Sequence, residues 1–101
     1  MSLRELSNEE KLEFYKEKSA LLFHIPGHCA GCKMAIQVLN KLNTENWDIV
    51  LVNAEDELLE YLVTKYNISQ TPTIVVFNNG KEVETIVGLK EFLAKQKMFG
   101  E

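Results

Sequence analysis

The chain has 101 residues, enough for one domain with a single core. Apolar residues make up 46% and charged residues 26%, which excludes a disordered tail. A formal net charge of −4, with no local Lys/Arg cluster, argues against nucleic acid or an anionic membrane as partner.

One domain over residues 1–101 is expected, with an N-terminal helix in residues 1–19 and a core from 20 to 101. Ser7-Asn8-Glu9-Glu10 has the form of a capping box, and a polar helix to about Lys18 follows, with Leu12 and Tyr15 on one face. This charged segment has no apolar signal-peptide core, and the run Ala20 to Ile25 is too short to span a bilayer, so a cytoplasmic protein is expected. That run, closed by Pro26-Gly27, predicts a buried central strand. Met34, Val38 and Leu42 have helical spacing, and Trp47 to Val52 is a second, β-branched strand candidate. Leu58, Leu59, Leu62, Val63 and Tyr66 mark an amphipathic helix. Two short strands, Thr73 to Phe77 and Glu82 to Val87, flank Asn78-Asn79-Gly80-Lys81, a hairpin signal because Asn and Gly tolerate positive φ. A last helix from Leu89 to about Met98 turns Leu89, Phe92 and Leu93 inward. The expected fold is α/β: a four-stranded mixed sheet flanked by helices on both faces, its first two strands parallel and its hairpin antiparallel.

The chain has two cysteines, Cys29 and Cys32, separated by Ala30-Gly31. A bond between them closes a tiny loop and constrains the unfolded chain little, so chemistry explains the pair better than stability does. They fall between a buried strand and the helix after it. A sulfur at a helix N-terminus meets unpaired N–H groups and the positive end of the dipole, both of which favour thiolate. Cys29 would then attack a disulfide, and Cys32 would resolve the mixed disulfide. His28, next to Cys29, is a candidate modulator of its ionisation, against the plainer role of an exposed loop residue. Two alternatives stay open. The cysteines are inert core residues, or they form half of a metal site completed by His24 or His28. Thr71-Pro72-Thr73 precedes a strand, where proline is tolerated.

With Cys29-Ala30-Gly31-Cys32-Lys33 and the Pro72 segment placed, the chain resembles the thioredoxin family. The most specific stretch runs from Ile68 through Thr71-Pro72-Thr73 to Asn79-Gly80-Lys81, and on to Val87-Gly88. The resemblance starts at about Ala20 and leaves out the family's first strand. It implies that Cys29 is the nucleophile and Cys32 the resolving thiol, with a cis Pro72 packed against them. It further implies that the Thr71 backbone and Gly88 border a groove for an extended substrate segment. Where the family has Trp before the first cysteine and Gly-Pro between the two, this chain has His28 and Ala30-Gly31. The family's buried acidic residue falls on Phe23 and its nearby lysine on about Leu51, so Cys32 cannot lose its proton to that carboxylate.

The resemblance implies a monomeric thiol–disulfide oxidoreductase that acts on protein disulfides, is recycled by a reductase and needs no cofactor. A glutaredoxin-like, glutathione-dependent exchange, a metal or iron–sulfur module and a non-catalytic partner-binding domain are the other readings.

Overall fold

The computed structural model describes residues 3–6 and 18–100. The chain forms β1 (Leu3–Glu5), β2 (Ser19–His24), α1 (Ala30–Lys41), β3 (Asp48–Asn53), α2 (Glu60–Lys65), β4 (Thr73–Asn78), β5 (Lys81–Val87) and α3 (Gly88–Lys95). Short 3-10 turns at Glu57–Leu59 and Gln96–Phe99 precede α2 and follow α3. Save Lys18, the helix expected from Ser7 onward lies outside the described residues.

The sheet has five strands in the order β1-β3-β2-β4-β5, not the four expected. The additional strand is β1, parallel to β3 with Leu3 opposite Ile49 and Glu5 opposite Leu51. It lies in the segment expected to form the N-terminal helix, and it supplies the first strand that the resemblance leaves out. Three residues, two of them charged, are too few to display a period of two. Leu3 and Leu6 nevertheless reach opposite faces of the sheet and are 7% and 6% exposed.

Strand β2 is central, parallel to β3 and antiparallel to β4, and all six of its residues are buried. That explains the continuous apolar run, since both faces are covered. Alternation sends Ala20 and Leu22 towards α1 and α3, and Leu21 and Phe23 towards α2. Each such side chain contributes about 1.5–3 kcal/mol when fully buried. The β4–β5 turn has Asn79 at φ 54° and Gly80 at φ 83°, the left-handed pair that the Asn-Gly signal demands.

Two helix faces differ from expectation. On α1 the buried residues are Cys32, Ala35 and Leu39, while Met34 is 46% exposed. On α3, Phe92 is buried but Leu93 is 38% exposed, and Phe99 from the following 3-10 turn is fully buried. Leu58, at the start of the α2 region, also faces solvent. No helix among the described residues is long and apolar enough to cross a membrane.

Candidate active site

Pro26-Gly27-His28 turns the chain sharply between β2 and α1. Gly27 takes φ 80° and the His28 N–H donates to the Ile25 carbonyl over 3.3 Å. The turn delivers Cys29 as the N-cap of α1. Its backbone is extended, and its Sγ accepts the Cys32 N–H at 3.1 Å. Sulfur thus stands where a capping oxygen normally satisfies one of the helix's unpaired donors. One turn on, Cys32 is disulfide-bonded to Cys29 with a Cα–Cα distance of 5.2 Å. Cys29 is half-buried, whereas Cys32 is 2% exposed. An incoming group therefore meets Cys29 first.

The segment before β4 closes over this pair. Thr71 Oγ1 donates to Cys29 Sγ at 3.5 Å, and the same sulfur lies 3.7 Å from the Thr71 carbonyl oxygen. The Thr71–Pro72 peptide is cis and Pro72 is buried. Gly88, at φ 85°, donates its N–H to the Pro72 carbonyl at 2.8 Å, which ties the start of α3 to the same segment. A Cβ at Gly31 would stand 3.2 Å from Pro72 Cδ and 3.6 Å from Leu89 Cβ. Glycine there lets α1 approach both.

Five of the six residues singled out from the sequence therefore meet in space: Cys29, Cys32, Thr71, Pro72 and Gly88. The His28 ring is exposed and, among the described residues, makes no hydrogen bond or ion pair. Sequence reasoning missed Gly31, whose role depends on a neighbour more than 40 positions away. His24 borders a recess of about 680 Å³ beneath the start of α1, together with Pro26, His28, Cys29, Cys32 and Ile36. Among the described residues no group of three or more His, Cys, Asp or Glu side chains is placed to hold a metal ion.

The family model described as thioredoxin matches residues 4–98. The chain belongs to the thioredoxin family. It is 37% identical over 65 residues to thioredoxin from Chlamydia caviae, a match that covers 62% of each chain. It is 34% identical over 71 residues to thioredoxin from Bacillus subtilis, covering 69% of this chain and 68% of that one. Mitochondrial thioredoxin 3 from Saccharomyces cerevisiae superposes with a TM-score of 0.71 at 21% identity, over 83% of this chain and 77% of that one. A Nicotiana alata thioredoxin gives the same TM-score and identity over 99% and 94%. The thioredoxin fold thus extends over nearly the whole chain, although the chlamydial match spans less than two thirds of its relative.

Proposed function

We propose that the protein is a thiol–disulfide oxidoreductase that reduces or exchanges disulfides in other proteins through Cys29 and Cys32. The observation that carries this reading is the sulfur of Cys29 at the cap of α1, bonded to a buried Cys32 and faced by Thr71. In the reduced protein the helix-end N–H groups and the dipole favour the Cys29 thiolate, which lowers its pKa below that of a free thiol. That thiolate attacks a substrate disulfide, forms a mixed disulfide and releases one substrate thiolate. Cys32 then attacks Cys29, closing the intramolecular bond and releasing the second thiolate. The electron pair passes to the substrate and the protein leaves oxidised, so a reductase must restore the dithiol.

Thr71, Pro72 and Gly88 form the substrate-facing rim, the Thr71 backbone pairing with an extended segment of the partner. His28, exposed at the approach to Cys29, adds positive charge beside it when protonated. No further cysteine exists to form a structural disulfide, which suits a reducing compartment such as the cytoplasm. The site is complete within one chain, consistent with a monomer. Insulin-disulfide reduction by dithiothreitol tests the proposal: the protein accelerates it, and Cys29→Ser returns the rate to that of dithiothreitol alone. Equal rates for the two proteins would end this reading.

A further inference from the structure

Resolution requires Cys32 to lose its proton, yet Cys32 is 2% exposed and its neighbours Ala35 and Leu39 on the buried face of α1 are hydrocarbon. A thiol closed off in this way needs a proton acceptor inside the fold that borders the same space. On β2, Phe23, the position of the family's buried carboxylate, has no titratable atom. His24 alternates onto the α1 face, with a side chain only 7% exposed, and borders the same recess as Cys32.

The imidazole is held from the far side. Its Nε2 lies 3.1 Å from Oε1 of Glu5, whose side chain is 56% exposed. Glu5 sits on β1, two strands from β2, and reaches across β3. A carboxylate accepts only, so Nε2–H donates to Glu5, and in the neutral ring Nδ1 then keeps its lone pair. Among the described residues Nδ1 has no hydrogen-bond partner. The other titratable groups bordering this recess are His28 on the loop, Lys33 on α1 and the two cysteines. On the strands beside the end of β2, Asn53 and Thr73 are uncharged.

We infer that His24, oriented by Glu5, accepts the Cys32 proton during resolution. The proton passes from Cys32 Sγ to Nδ1, directly or through a water held in the recess. The Cys32 thiolate forms a bond to Cys29 Sγ as the bond from Cys29 to the substrate sulfur breaks. The departing substrate thiolate carries the electron pair and takes a proton back from the imidazolium. Glu5 touches no reacting atom and is a positioning residue. The inference rests on the dithiol exchange proposed above.

Reduced protein mixed with 5,5′-dithiobis(2-nitrobenzoate) separates the two. Cys29 releases one chromophore on forming the mixed disulfide, and Cys32 releases a second on resolving it, both visible by stopped-flow absorbance. If the wild type gives no second release, the exchange reading fails and this inference with it. In His24→Gln the loss is confined to the second release, about a hundredfold near neutral pH, the low end of what general bases contribute. It closes in alkali, where Cys32 ionises unaided. In Glu5→Gln the ring loses the carboxylate that holds it, so the second release slows by a smaller factor, and this loss too closes in alkali. Second-release profiles that superimpose on wild type for both variants overturn the inference, as does a slowing by the same factor at every pH. If His24→Gln does not fold, the surface variant Glu5→Gln decides alone through its pH profile.

Discussion

Helices α1 and α3 run side by side, and their two ends are built differently. At the start, Gly31 lies against Leu89 and Pro72, Gly88 is bonded to Pro72, and Cys29 caps α1 with sulfur. At the finish, Phe99 is fully buried between Trp47, 4.7 Å away ring to ring, and Phe92 at 6.2 Å. Each end carries a recess of similar size, about 680 Å³ at the sulfur end and about 660 Å³ beside Trp47, Leu39 and Asn43. Cavity volume therefore does not distinguish the reactive end. What does is the convergence of two glycines, a proline and a helix start, which keeps bulk away from Cys29. Aromatic packing at the other end holds the helices in register, leaving the sulfur end free of large anchors.

The strongest way to break this division is Phe99→Ala. Losing a fully buried ring costs about 3–5 kcal/mol of unfolding free energy, read from urea titrations. The domain remains folded without denaturant only if its total stability lies above that, within the usual range of about 5–15 kcal/mol. Insulin reduction per folded molecule stays at the wild-type rate. A matching loss of turnover among folded molecules would show that the two ends are coupled.

Gly31→Val tests the reactive end. Its side chain would push on Pro72 and Leu89, where a Cβ alone already approaches to 3.2 Å. Overpacking of this kind costs about 1–3 kcal/mol, and here it also moves the segment that faces Cys29, so insulin reduction slows together with stability. Wild-type stability and turnover in this variant would mean that the close approach constrains nothing.

The same contrast explains what could be read from the sequence. The sulfur end was legible because its signals are local: a CxxC after an apolar strand, Thr-Pro before another and Asn-Gly between two more. The resemblance to thioredoxin placed these segments together. The finish of the helices was not legible, because the spacing reads as one helix to about Met98, whereas α3 gives way at Gln96 to a 3-10 turn that carries the buried Phe99. Strand β1 escaped because three residues, two of them charged, display no alternation, and only the pairing with β3, more than 40 positions away, makes them a strand. For the same reason the partner of His24 was hidden: Glu5 becomes its neighbour only once β1 has docked.

The smallest expected effect sharpens the account of the finish by separating hydrocarbon from charge. Lys95, in the last turn of α3, donates to Glu84 on β5 at 2.6 Å and lies 3.5 Å from Glu91 one turn back. The hydrogen bond to Glu84 holds the Lys95 ammonium above the ordinary lysine range, with the charges of Glu84 and Glu91 acting in the same direction. A raised folded-state pKa stabilises the protein fully below the unfolded value, and the gain disappears as pH climbs through the folded one. Lys95→Gln should therefore lower Tm by about 1–2 °C in low salt near neutral pH, as for an exposed ion pair. The difference from wild type should vanish in strong alkali and shrink in high salt, which screens exposed charges. Thermal melts of both proteins across pH and salt check this. A Tm loss comparable to that of Phe99→Ala, or one indifferent to salt and alkali, would mean that charge rather than aromatic packing anchors this end.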